Sequence, residues 1–210
     1  MISVVVLTFN EEANIRCTLE SVQGFSDDIH VVDSFSTDGT LDISREFDVT
    51  IHQNAWDGWA AQRNWTQDNA KLAYPWVLYL DADEILTDSA KAEILERTQN
   101  AGLEVQGFYL PFEFWFLGRK IGKAMVPHLR LVKHESVRWY AEGAREYNSA
   151  PKDSPVLQNY LVHKDNRDLS FWTTSFIKKA ESESEFVYQK SQEKIAWRKL
   201  FTELDIKSLL

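Results

Sequence analysis

Two carboxylates stand two residues apart in Leu78-Tyr-Leu-Asp81-Ala-Asp83-Glu84, directly after an apolar run. Hard oxygen donors at that spacing suit Mg²⁺ or Mn²⁺, ions that bridge readily to substrate phosphates. The same residues also suit a strand ending in a polar turn, with Asp83 or Glu84 capping the next helix. A second acidic group lies in Val31-Val-Asp33-Ser-Phe-Ser-Thr-Asp38-Gly39-Thr40. Asp33 can accept hydrogen bonds from a ribose or a base N–H, or close an Asx turn into the following helix. The third group is Ala60-Ala-Gln62-Arg63-Asn64-Trp65. Arg63 there can orient carboxylates or a diphosphate, or form an ordinary helix-surface ion pair.

These groups need a frame that brings them together. Residues 2–8 form a short β-branched apolar run, which reads as a buried strand. Asn10-Glu-Glu opens a helix with Ile15, Leu19 and Val22 at helical spacing and Gly24 past its end. Strands follow at 29–33, 49–52 and 76–81, and helices at 40–47, 58–71 and from Ser89, as the cap, to Thr98. Alternating strand and helix predict a parallel sheet with helices on both faces. Ligands then sit beyond the carboxyl ends of the strands. Three such ends are polar: Thr8-Phe9-Asn10-Glu11, Asp33-Ser34, and Asp81-Ala82-Asp83-Glu84.

The rhythm changes after residue 100. The aromatic segment 107–116, residues 126–133 and residues 137–140 have strand character, so this part reads as α+β on the sheet edge. Residues 148–154 are a polar loop, 169–190 a charged helix, and 192–210 a last amphipathic helix. Arg119, Lys120, Lys123, Arg130, Lys133 and Arg138 fall within twenty residues, just after Phe112, Phe114, Trp115 and Phe116. A basic face beside exposed aromatics would suit an anionic lipid-linked acceptor at an inner membrane surface. It would equally be a solvated face over an aromatic core.

Composition bounds the partners. The 210 residues are 44% hydrophobic and 26% charged, the balance of a soluble globular protein. Residues 1–100 carry 6 Lys/Arg against 18 Asp/Glu, a net of −12, and residues 101–210 carry 17 against 14, a net of +3. So acidic a half makes nucleic acid a poor partner, and a phosphate ligand there calls for a divalent cation. The single cysteine, Cys17, excludes an intrachain disulfide and a multi-cysteine zinc site. No apolar run approaches a membrane span, and the N-terminus lacks a cationic leader, so a cytoplasmic protein is expected.

Together the motifs resemble inverting family-two glycosyltransferases of the GT-A fold. The carrying residues are Ser3–Glu12, Val32–Thr40, Gly58–Trp65 and Trp76–Glu84, in matching order and spacing. A looser resemblance over Gly58 to about Ala180, including Phe116-Leu-Gly-Arg119, is to the lipopolysaccharide-core and exopolysaccharide glucosyltransferase branch.

The resemblance implies a GT-A domain over residues 1–190 and a C-terminal helix over 191–210. Within the domain, 1–100 would be the nucleotide-sugar half and 101–168 the acceptor half. Thr8, Asn10, Glu11 and Asp33 would hold the nucleotide, commonly uridine, and Arg63 would lie near the diphosphate. Asp81 and Ala82 would face the ribose or sugar, and Asp83 would coordinate Mg²⁺ or Mn²⁺, with His163 completing the metal site. Glu146, in Ala144-Arg145-Glu146-Tyr147, would be the catalytic base beside its charge partner Arg145, with Glu142 second. Arginine stands here where the family has histidine. The partners implied are a nucleotide-sugar donor and a glycan or lipid-linked acceptor, with peripheral contact at the cytoplasmic membrane face.

Two other readings stay open. A sugar nucleotidyltransferase shares the architecture, but it would carry a glycine-rich, Arg-containing loop where Thr8-Phe-Asn-Glu-Glu12 stands. A degenerate GT-A domain binding a glycan or protein partner would not need the intact Asp81 and Asp83.

Overall fold

The computed structural model describes residues 1–123, 126–142 and 145–192. The chain divides into two compact units, residues 1–141 with 146–167, and residues 142–145 with the segment from 168 onward.

The first unit opens with β1 (Ser3–Thr8), α1 (Ile15–Val22), β2 (Ile29–Asp33), α2 (Thr40–Ser44), β3 (Thr50–Gln53), α3 (Trp59–Asn69) and β4 (Trp76–Asp81). It continues through β5 (Glu84–Leu86), α4 (Asp88–Gln99), β6 (Gly107–Leu110), β7 (Phe112–Phe116), β8 (Arg119–Lys123) and β9 (His128–Lys133). The hairpin strands β10 (Trp139–Glu142) and β11 (Arg145–Asn148) and the strand β12 (Leu161–Lys164) follow.

A six-stranded sheet runs β3-β2-β1-β4-β9-β6. Its first four strands are parallel, as the strand–helix alternation predicts, and β9 is antiparallel to both neighbours. Side chains of β1 alternate between two cores. Val4 and Val6 pack with Ile15, Leu19 and Val22 of α1 and with Ala90 and Ile94 of α4. Val5 and Leu7 pack with Val77, Tyr79, Ala60 of α3 and Trp139 on the other side.

The aromatic segment is two strands, not one. Pro111 separates β6 from β7, and β7 joins a second sheet of order β5-β12-β7-β8. Proline has no N–H to donate to a ladder, so pairing can change partners there. Two helix starts also differ from expectation. The α1 helix begins at Ile15 rather than at Asn10, because residues 10–12 are taken by loop contacts. The α4 helix is capped by Thr87, whose hydroxyl accepts from the Ala90 N–H at 3.2 Å, rather than by Ser89.

In the second unit, α5 (Leu169–Gln192) starts where the Asp168 carboxylate accepts from the Phe171 N–H at 2.8 Å. The amphipathic helix expected over 191–210 lies, from residue 193, outside the described residues. Among the described residues no helix is long and apolar enough to cross a membrane.

Candidate active site

Strand register brings the three polar ends together: Thr8 lies opposite Asp33, and Leu7 opposite Asp81. The loops after β1 and β2 are then clasped to each other. Asn10 and Phe35 take positive φ values of 53° and 62°, one in each of the two facing loops. The Asn10 N–H donates to the Ser36 hydroxyl at 2.8 Å, and the Asn10 side chain accepts from the Thr37 N–H at 2.8 Å. The Glu11 N–H donates to the Thr40 hydroxyl at 2.7 Å. Asp33 is fully buried. It accepts from the Ser36 N–H at 3.0 Å, the Ser36 hydroxyl at 2.5 Å and the Gln53 amide at 3.2 Å. Asn10 and Asp33 thus build the loop clasp, and neither lines the cavity beside it.

That cavity has a volume of about 590 Å³. Thr8, Phe9 and Glu11 form one wall and Asp81, Ala82 and Asp83 another. Leu7, Ser34, Trp56, Trp59, His163 and Arg167 complete the lining. The Thr8 hydroxyl is buried and has no hydrogen-bond partner among the described residues.

Glu11 is held by the Asn14 amide at 2.8 Å and by Arg167 at 3.0 Å. Burial pushes its carboxyl up to about 7, against the pull of both partners. Arg167 is itself gripped by Asp165 at 2.6 and 2.7 Å, which ties the segment after β12 to the loop after β1.

Asp83 and His163 face each other in the cavity wall, with Asp83 Oδ1 3.4 Å from His163 Nδ1. Antiparallel pairing of β5 with β12 sets this meeting, by placing His163 opposite Glu84. Burial disfavours the charged imidazole, yet the Asp83 carboxylate lifts His163 above the ordinary imidazole value. Among the described residues no group of three or more His, Cys, Asp or Glu side chains is arranged to hold a metal ion. A carboxylate and an imidazole still fit a divalent ion whose other ligands come from substrate and water.

Behind the cavity runs a chain of alternating charge. Arg63 Nη1 lies 2.5 and 2.6 Å from the two Glu146 oxygens, and Arg63 Nη2 lies 3.6 Å from Asp81. Asp81 accepts from Arg130 at 2.5 Å, and the same Arg130 nitrogen meets Glu84 at 2.5 Å. Burial opposes charge on Asp81, but Arg130 and Arg63 together hold it below the usual carboxylate range. Burial, with Asp81 and Asp83 as like-charged neighbours, pushes Glu84 upward against the pull of Arg130.

Arg63 therefore does not sit in the cavity wall, and it is Arg63 that grips Glu146, where the sequence suggested Arg145. The side chains of Glu142 and Arg145 lie outside the described residues. The expected basic face is dispersed. Arg130 is buried on Asp81 and Glu84, and Arg138 pairs with Asp68 at 2.6 Å. Lys133 donates to the Gly102 carbonyl at 3.0 Å, and Lys120 pairs with Glu113. The side chain of Lys123 lies outside the described residues.

Sequence reasoning missed Arg130 as a buried anchor, and its signal is a charge inside the apolar strand Leu129-Arg130-Leu131. It also missed Arg167 and the Trp56–Trp59 pair. The pair's signal is two tryptophans flanking Asp57-Gly58 at a helix start.

Residues 3–153 match the family model described as Glycosyl transferase family 2. The chain is 34% identical over 176 residues to an uncharacterized glycosyltransferase of Rickettsia typhi, covering 81% of this chain and 55% of that protein. It is 34% identical over 175 residues to one of Rickettsia bellii, covering 81% and 54%. The chain thus spans about half the length of these relatives. The solved structure of S. aureus TarS is similar at a TM-score of 0.52 and 18% identity, over 78% of this chain and 36% of that one, a likeness of fold.

Proposed function

The chain belongs to glycosyl transferase family 2 and has the GT-A fold, and from that premise we propose that it transfers a hexose from a nucleotide-diphospho-sugar, a UDP-hexose, to a glycan or lipid-linked acceptor with inversion. The carrying observation is the meeting of Asp83 and His163 at 3.4 Å, in a cavity that also holds the Thr8 hydroxyl, which has no partner among the described residues. The looser motif resemblance over residues 58–180 supports a place in cell-envelope polysaccharide or lipopolysaccharide synthesis.

Thr8 and Glu11 hold the nucleotide from the β1 side. Asp33 and Asn10 act one step back, by keeping the two nucleotide loops closed on each other. Asp81, fixed by Arg130 and Arg63, offers oriented lone pairs to sugar hydroxyls. Asp83 and His163 hold Mg²⁺ or Mn²⁺, which when bound stabilises charge on the departing diphosphate. The acceptor oxygen bonds to the anomeric carbon opposite the leaving group, through an oxocarbenium-like transition state. Glu146 takes the acceptor proton. Its side chain is 31% exposed, so an incoming hydroxyl can reach it while Arg63 fixes its orientation.

A panel of nucleotide sugars, with UDP binding followed calorimetrically in Mn²⁺ and in chelator, tests this. Hydrolysis or transfer with one UDP-hexose, and binding lost in chelator and in Asp83→Ala, is the expected result. Equal binding in chelator removes the metal role, and inactivity across the whole panel overturns the reading.

A further inference from the structure

We propose that the Trp56–Trp59 pair is the platform on which an uncharged pyranose ring of the acceptor stacks. The inference rests on the reading of Glu146 as the base.

Both tryptophans line the cavity, and they remain 49% and 45% exposed. Their rings meet edge to face, with centroids 4.7 Å apart and planes at 87°. Trp59 is braced a second time by the Arg63 guanidinium, 5.9 Å from its ring centroid and one helical turn further along α3. Gly58 sets the start of that helix, with φ 95° and ψ 163°, a conformation open to glycine almost alone. The rings are thus held in place rather than left to wander, and each still presents apolar surface to the cavity.

Arg63 is also the residue that grips Glu146. Trp59, Arg63 and Glu146 form a continuous line of contacts. Trp59 and Asp81 are the cavity-lining residues that touch Arg63, and in this proposal an acceptor whose hydroxyl reaches Glu146 lies along the Trp59 side.

Charge selects what that molecule is. Six carboxylates surround the cavity and its back wall: Glu11, Asp81, Asp83, Glu84, Glu146 and Asp165. Three arginines accompany them, and each is already paired: Arg63 with Glu146, Arg130 with Asp81 and Glu84, and Arg167 with Asp165 and Glu11. With each arginine engaged by protein carboxylates, the cations left among the described cavity residues are His163 and the divalent ion that would serve the donor diphosphate, so a second anionic group on the acceptor finds no partner of its own. A neutral pyranose satisfies both features. Its C–H faces stack on indole, and its rim of hydroxyls donates to carboxylates. Of the phenylalanine segment, Phe112 is buried, Lys120 and Arg130 beside it are held by Glu113 and by Asp81 and Glu84, and none of residues 112–116 lines the cavity.

The test is saturation-transfer NMR with UDP and Mg²⁺ present. Its neutral probes are the methyl glycosides of glucose, galactose and mannose, and glucose 6-phosphate is the anionic probe. Wild type should saturate ring protons of at least one neutral glycoside and none of glucose 6-phosphate. Trp56→Ala and Trp59→Ala should weaken that binding roughly tenfold, with Trp59→Phe retaining most of it. UDP affinity, read on the same proteins, should follow wild type. Unchanged glycoside binding in both alanine variants overturns the proposal. So does the absence of any neutral-glycoside signal, preference for the phosphorylated sugar, or a parallel loss of UDP affinity. Failure of wild type to bind any UDP-sugar is a separate result, and it sinks the glycosyltransferase reading while leaving sugar stacking on the two tryptophans to stand or fall by its own signal.

Discussion

A single guanidinium nitrogen of Arg63 sits between the two carboxylate oxygens of Glu146, at 2.5 and 2.6 Å, across 83 positions of sequence. The other terminal nitrogen of Arg63 points toward Asp81 at 3.6 Å. One buried arginine therefore fastens the β10–β11 hairpin, which carries Glu146, to the strand end that carries the acidic motif.

Glu146→Gln keeps the shape and one acceptor oxygen but removes the basicity. Steady-state kinetics should show kcat lowered roughly 10²–10⁴-fold, with donor KM nearly unchanged. Arg63→Ala should lower kcat as well, and the double variant should fall little further than Glu146→Gln, because the two act as one unit. Near-wild-type turnover in Glu146→Gln would pass the role of base to Glu142.

Arg130 neutralises two carboxylates inside the protein. Arg130→Met leaves Asp81 with only the more distant Arg63, at 3.6 Å, and Glu84 with no cation among the described residues. Urea denaturation should report a loss of about 3–5 kcal/mol. Adding Glu84→Gln should restore part of it, since it removes the buried acidic neighbour that competes with Asp81 for charge. An Arg130→Met protein as stable as wild type would show that the chain of charges contributes nothing to folding.

How much of this was legible beforehand follows from the physics of each element. The parallel half was readable because β1 and β4 are nearly continuous apolar runs with polar ends and β2 is a short β-branched segment ending in Asp33, a pattern few other arrangements satisfy. The cavity lining by Thr8, Glu11, Asp81, Ala82, Asp83 and His163 follows from those ends and from one later strand. Arg130 escaped because a local charge count treats every cation as surface, whereas tertiary pairing with residues 46 and 49 positions away put this one inside. The switch of sheets at Pro111 escaped for a similar reason. Two strands separated by one residue look like one strand until their ladders are known.

Gly58 starts α3 in a region of backbone space that side chains avoid. Gly58→Ala meets no neighbouring atom within 4 Å, so crowding is not the obstacle. The backbone strain should still lower stability by about 1–3 kcal/mol in thermal or urea melts. A substitution without effect would mean that the helix start relaxes to an ordinary conformation.

His52 stacks on His30 with ring centroids 5.2 Å apart and a 3.0 Å contact between His52 Nε2 and His30 Nδ1. Burial first, and then the His30 ring, hold the His52 pKa below the ordinary imidazole value of 6.5. Its contribution to stability is therefore complete above the unfolded pKa and is lost as pH falls through the lower folded one. Because Glu11, Glu84 and His163 contribute the opposite slope, the reading is a difference: the melting temperature of wild type relative to His52→Phe should fall as pH drops through and below 6.5. An identical slope in the variant would assign the acid sensitivity to another group.

The passage from the six-stranded to the four-stranded sheet is made twice on very short links: Ala82 and Asp83 between β4 and β5, and Pro111 between β6 and β7. Surface loops accept insertions at small entropic cost, but neither of these links has slack to absorb one without shifting His163 against Asp83. Indels among homologues should accordingly avoid both links. Chimeras that exchange residues 107–148 between relatives have their natural splice points in the loops at 100–106 and 149–154, where a change of length leaves the spacing across the two sheets intact.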